Sequence, residues 1–258
     1  DVATTAAGAI DLDETDAIDL ASVSTADGPI TVTAGGTLTA TAVDSSATDN
    51  DTNDVSLTTT SGDIAVVSIT GGSANDVTLT SAGAITEDGN AATVLTADVL
   101  TATAGGAITL DTTVSTADLA TSSAGDIDID ETDAITLTSV TTADGSITVD
   151  SGDTLTATLV DSSTTDDDTN DISLTTASGG IAVVSIDAGS AGDATLTAAG
   201  AITESGTAAV DVTADLLTAT AGGPITLDTL VATADLATSA AGAIDLDETD
   251  TIDLASVS

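Results

Sequence analysis

The chain contains no cysteine, histidine, lysine, arginine, methionine or aromatic residue. Each absence removes a class of function. Without cysteine there is no disulfide framework and no thiolate metal site, and the redox compartment is left unmarked. Without lysine or arginine there is no basic patch for phosphate. With 43 Asp and Glu and a formal charge of -43, the chain repels nucleic acid and anionic lipid headgroups. Losing His, Cys, Lys, Tyr and Arg together removes the usual activated nucleophiles, oxyanion donors and phosphate clamps, so the sequence reads as non-catalytic. Paired carboxylates could serve a glycosidase. However, the sugar-stacking aromatics are missing and the same acidic cluster occurs three times. No apolar run approaches the ~18 residues of a membrane span, and the first residues carry no basic, signal-like region.

What remains is Ala, Val, Ile and Leu set among Thr, Ser, Gly and Asp. The chain is 41% apolar with a mean hydropathy of +0.35, too apolar and too regularly patterned for a solvated coil. The stretch AGAIDLDETDAIDLASVS at 7–24 recurs as AGDIDIDETDAITLTSVT at 124–141 and as AGAIDLDETDTIDLASVS at 241–258. Gly8, Gly125 and Gly242 are 117 residues apart, and about three quarters of positions agree between the two full copies without a gap. A fixed long period marks a repeat architecture. The expected division is 1–7 as the end of a preceding repeat, 8–124 and 125–241 as full repeats, and 242–258 as the start of a third. The whole reads as an excerpt of a longer array.

A shorter cadence runs inside each repeat: Gly, then Ile two residues on, then another branched residue. It starts at Gly8, Gly28, Gly62, Gly83, Gly106 and Gly125, at intervals of 20, 34, 21, 23 and 19 residues. Alternation of Ile, Leu or Val with Asp, Thr or Ala is the signature of strands with one buried face, and no segment shows helical spacing. Coils of about 20 residues that stack in parallel at ~4.8 Å make an all-β fold, a parallel β-helix or β-solenoid. The 34-residue interval is read as one coil enlarged by an acidic insert, with side loops at 44–54 and 161–171. An Ig- or cadherin-like sandwich array is the structural rival, since 117 residues also suits a sandwich. The 20-residue cadence and the missing aromatic anchors count against it.

Clustered oxygen ligands without nitrogen or sulfur suit Ca²⁺. Candidate ligands are Asp11, Asp13, Glu14 and Asp16, with Asp128, Asp130, Glu131 and Asp133 in the next copy. In the side loops they are Asp49, Asp51 and Asp54, and Asp166, Asp168 and Asp171. The plain alternative is a solvated acidic face. DNDTND and DDDTND share the D-x-D alternation of EF-hand loops but lack the glycine and terminal glutamate those loops use. Some eleven coils would span roughly 50 Å, about one charge per 1.2 Å, denser than the ~1.7 Å of duplex DNA. Divalent cations are therefore expected partners, although no cofactor is required. Thr-x-Thr runs at 37–41, 101–103, 154–158 and 218–220 raise an ice-binding reading. Threonine is also an ordinary solvent-face strand residue, and a densely acidic surface makes a poor ice plane.

The G-x-I-x-[LV] coils parted by Ala, Ser and Thr resemble the repeat region of filamentous haemagglutinin-type surface proteins. More broadly, they are similar to the very long β-strand-repeat proteins that bacteria export. The resemblance implies a right-handed parallel β-helix, export to the cell surface or beyond, and adhesive or matrix roles. The expected function is a structural, non-catalytic region of an extracellular fibre, surface stalk or matrix, self-associating end to end or laterally. Its rivals are a calcium-dependent adhesin acting through the side loops and an ice-binding solenoid.

Overall fold

Alternating Ile, Leu and Val cannot be buried by any one strand of two to five residues, so each strand needs a neighbour above and below. The computed structural model describes residues 1–87, 95–207, 209–240 and 242–258. The repeat boundary placed at 241 lies outside the described residues. All described elements are β-strands, without a helix, and every named pairing is parallel. The fold is the parallel β-solenoid expected from the sequence. By contacts the chain divides into Asp1–Ile129 and Asp130–Ser258.

In the first unit each turn supplies three strand segments, and these stack into three columns. The second turn, for example, contains Ile30–Ala34, Leu38–Ala40 and Val43–Asp44. The first column aligns Ile10, Ile30, Val55, Val77, Leu100 and Ala117. The second aligns Ile18, Leu38, Ile64, Ile85 and Ile108. The third aligns Val2, Val23, Val43, Ile69, Leu95 and Thr112. Nearly all of these apolar residues are buried, so the core is a stack of aliphatic ladders. Two long strands, Leu95–Ala104 and Ile108–Thr121, bend through successive columns without a break.

The second unit is built in the same way. Its ladders run Ile147, Ile172, Ala194, Leu217, Ala234, Leu254, then Ile135, Leu155, Ile181, Ile202, Ile225, Ile244, and Val140, Val160, Ile186, Val212, Thr229.

One kind of corner has its own chemistry. In T-x-x-G the threonine hydroxyl donates to the glycine carbonyl: Thr25 to Gly28 at 2.7 Å, Thr59 to Gly62 at 2.9 Å, Thr142 to Gly145 at 2.7 Å and Thr176 to Gly179 at 3.2 Å. Each of these glycines has a positive φ, between 81° and 151°, a conformation that only glycine adopts without strain.

The columns correct the reading of the 34-residue interval. Ile30 lies in the first column but Ile64 in the second, so the interval spans one turn and a third rather than one enlarged coil. The turn holding loop 44–54 runs from Ile30 to Val55, 25 residues against 20, 22, 23 and 17 for the others. The same columns fix the phase of the long repeat. Ile127 opens the second copy as Ile10 opens the first, yet it follows Ile108, whose N–H donates to the Asp126 carbonyl at 2.9 Å. In the second unit Ile244 likewise stacks on Ile225, in the column of Ile135. One 117-residue repeat is thus five turns and a third, and each copy enters one column further on.

Candidate functional site

The opening acidic stretch forms a strand, a turn and a second strand. Ile10 faces inward, and Asp11 and Asp13 point outward from Ile10–Glu14, beside Thr31 and Thr33 of the next turn. The glutamate caps its own turn. Glu14 Oε1 accepts from the Thr15 N–H at 2.8 Å and the Asp16 N–H at 3.2 Å. Glu131, nearly buried, accepts from the Asp133 N–H at 3.0 Å. In the third copy Glu248 is held by four donors: the Thr229 hydroxyl at 3.0 Å and the N–H groups of Val231, Thr249 and Asp250 at 3.2, 2.9 and 3.3 Å. Asp16, Asp128, Asp130 and Asp133 are exposed around these turns.

The side loops are pegged to the following turn. Asp49 accepts from the Ser73 hydroxyl at 2.7 Å, the Ala74 N–H at 2.8 Å and the Ser73 N–H at 3.2 Å. Asp166 repeats this with the Ser190 hydroxyl at 2.6 Å and the Ala191 N–H at 2.8 Å. The serine hydroxyls, aided by these amides, hold both carboxyls below the ordinary aspartate range. Asp54 and Asp171 accept from the N–H groups of Asp76 and Asp193 at 3.0 and 2.9 Å. Asp51 and Asp168 stand exposed, Asp51 with a φ of 30°. Within the loops Asn53 and Asn170 are fully buried, as is Asn75 in the turn that follows the first loop.

The tightest acidic group found among the described residues is Glu204, Asp211 and Asp228, whose carboxylate oxygens come within 4.8 Å of one another. None of the residues named from the sequence belongs to it. Asp211 is 2% exposed and accepts from the Asp228 N–H at 3.1 Å. Burial pushes its carboxyl above the ordinary range, while the Asp228 charge, then burial and the Asp211 charge, raise Glu204. Asp247 pairs with Asp228 across the ladder, adding a like charge next to the group. Such a trio can hold a proton or a divalent cation. No sequence pattern marks it, because its members come from separate turns and position 211 is Asp where the first copy has Val94.

Replacing Asp211 by that valine is expected to stabilise the second unit by about 1–3 kcal/mol at pH 7, the usual cost of burying a poorly compensated polar group. The gain should shrink as pH falls and Asp211 takes up its proton. Urea midpoints of the two proteins across pH measure both effects.

The shifted carboxyls among the described residues also give stability a pH dependence. Asp76 and Asp193 are raised mainly by burial, as is Asp211, and Glu204 by neighbouring charge. A carboxyl with a raised folded pKa adds stability at low pH and loses it as pH rises through that pKa. Asp49 and Asp166, lowered, add stability at neutral pH and lose it as pH falls. Stability should therefore rise on going from pH 7 to about pH 4–5, then fall as the Asp49 and Asp166 pegs protonate. A urea midpoint that declined steadily from pH 7 would contradict this balance.

No family model, no curated protein and no solved structure matches the chain.

Proposed function

We propose that this chain is a structural, non-catalytic repeat region of an extracellular or cell-surface fibre, stalk or matrix. The supporting observation is the way copies join. Each 117-residue copy continues the aliphatic columns already running in its unit, so repetition adds turns rather than independent domains. Asp49, Asp54, Asp166 and Asp171 act as pegs between turns and the glutamates as turn caps, which suits a wall-building role. The adhesin reading then rests on the exposed Asp51 and Asp168 and is tested by deleting 44–54 and 161–171. Loss of attachment with the β-structure intact would support it.

Divalent cations are the proposed counterpart of the carboxylates. The chain has no basic side chain to balance them, and Glu204, Asp211 and Asp228 are already gathered. A cation bound only to the folded state at a hundredfold excess over Kd adds about 2.7 kcal/mol. Calcium should accordingly raise the melting midpoint and excess chelator should lower it again. A midpoint indifferent to both would remove cations from the reading. Electron microscopy of the native assembly tests the structural role itself: elongated particles support it, compact beads oppose it.

A further inference from the structure

Register extends the Thr-x-Thr runs at 101–103 and 218–220 into a surface that neither run shows alone. Outward residues of the first column in the first unit form two rows. One row is Thr31, Ser56, Thr78 and Thr101, and the other is Thr33, Thr58, Thr80 and Thr103. All eight are at least partly exposed. Between them Val32, Leu57, Leu79 and Ala102 point into the core and are buried, which holds the two rows on one sheet face. Neighbours within a row are ~4.8 Å apart and the rows ~6.6 Å apart, as strand spacing and a two-residue step require. The second unit carries an equivalent face of its own: Thr148, Ser173, Thr195 and Thr218 in one row, and Thr175, Thr197 and Thr220 in the other, with Asp150 ahead of Thr175.

Charge is confined to the margins of this face. Asp11 and Asp13 lie at one end of the rows and Asp118 at the other, beyond Thr101. Along one side Asp54 turns its carboxylate onto the Asp76 N–H. The interior is a neutral lattice of hydroxyls and methyls, although the chain as a whole carries -43. That overturns the expectation that acidity spoils every face for ordered water.

We propose that this face binds an ordered water lattice, as presented by the surface of ice. The reasoning is chemical. A periodic array of hydroxyls set among methyl groups offers hydrogen bonds at fixed spacing with apolar patches between them, and its interlayer repeat lies near the oxygen repeat of hexagonal ice. The alternatives lack their usual handles. With no aromatic residue there is no stacking platform for sugar rings, and with no basic residue there is no contact for anionic polymers or phosphate. Rigidity comes from the core ladders beneath, so the lattice is ordered before it meets water, which limits the entropy lost on binding.

The test uses the full chain and two sets of substitutions. Thr58→Tyr, Thr80→Tyr, Thr175→Tyr and Thr197→Tyr keep good strand formers while breaking the plane in both units. Thr39→Tyr, Thr86→Tyr, Thr156→Tyr and Thr203→Tyr alter the second column and serve as the control. Partition into a slowly growing ice front and the gap between freezing and melting temperatures are measured, with circular dichroism to confirm the fold. The wild type and the control set should enter the ice and show a gap, and the first set should lose both. Exclusion of the wild type from ice, or equal incorporation of the first set, overturns the proposal. If the first set loses its β-signal, Thr80→Tyr with Thr197→Tyr decides by the same two readouts. Because the structural role is tested by particle shape, failure of one reading leaves the other standing.

Discussion

Gly35→Val and Gly222→Val should each unfold the turns around them, lowering stability by about 3 kcal/mol or more, beyond the usual range of overpacking. A Cβ at Gly35 would run into the Thr15 carbonyl oxygen, and one at Gly222 into that of Ala199. The obstacle is backbone, which cannot move aside as a flexible side chain can. These carbonyls lie in the corner of the preceding turn, and the glycine amides bond there too: the Gly35 N–H donates to Glu14 O at 2.7 Å and the Gly222 N–H to Ala198 O at 2.9 Å. Valine would force adjacent turns apart where they must close to a ladder spacing of ~4.8 Å. Gly8 is the natural control, because a Cβ there meets only the Thr4 methyl at 3.9 Å. Thermal melts of the three variants should separate the corner glycines from Gly8. Equal midpoints for Gly35→Val and the wild type would mean that the turns are not stacked in this register.

Asn75→Asp should be nearly as damaging, although it changes one amide to an acid. Asn75 is fully buried; its Nδ2 donates to Gly71 O at 2.6 Å and its Oδ1 accepts from the Asn53 N–H at 3.2 Å. It closes its own corner and ties it to the side loop of the preceding turn. An ionised aspartate accepts but cannot donate, so the Gly71 carbonyl loses its partner. It also adds a buried charge next to Asp76, whose carboxyl burial already pushes upward. Loss of a buried hydrogen bond and burial of an unpaired charge together cost about 3–5 kcal/mol. The loss should be largest at neutral pH and smaller once the new acid is protonated. Urea midpoints at pH 7 and pH 4 would reveal this, and a pH-independent loss would assign the effect to shape alone.

Much of the fold was legible because its signals are periodic. Ile10-Asp-Leu12 and Ile30-Thr-Val32 alternate with period two, the intervals near 20 residues match one turn, and no segment has helical spacing. The number of columns was harder to see. Gly-x-Ile occurs before Ile10 and Ile30 in one column and before Ile64, Ile85 and Ile108 in another, so a single sequence cadence straddles two structural ones. Counting it as one series hid the third of a turn by which the long repeat advances.

Side-chain roles divide along the same line. That Asp11 and Asp13 face outward follows from the inward Ile10. That Glu14 would cap its turn, or that Asp49 would seize Ser73 and Ala74, depends on which loop lies beneath, and only register tells. Glu204, Asp211 and Asp228 were invisible for the same reason, and so was the hydroxyl face. Its eight members in the first unit belong to four turns: of the Thr-x-Thr runs conspicuous in the sequence, 101–103 and 218–220 join such a face, whereas 37–41 and 154–158 contribute nothing to it.

The central claim is that each new copy joins the columns already running in its own unit, entering a third of a turn later. The chain has no cysteine, so introduced pairs report without background. Thr226 and Asp245 are register partners on neighbouring strands, whereas Asp235 pairs with Ser256. Neighbouring parallel strands lie ~4.8 Å apart, inside the ~4.4–6.8 Å range that a disulfide spans. Mild oxidation of Thr226→Cys with Asp245→Cys should give a quantitative intramolecular disulfide, and Asp235→Cys with Asp245→Cys should give none. Crosslinking of the second pair in place of the first would put each copy back on the column of its predecessor and contradict the account.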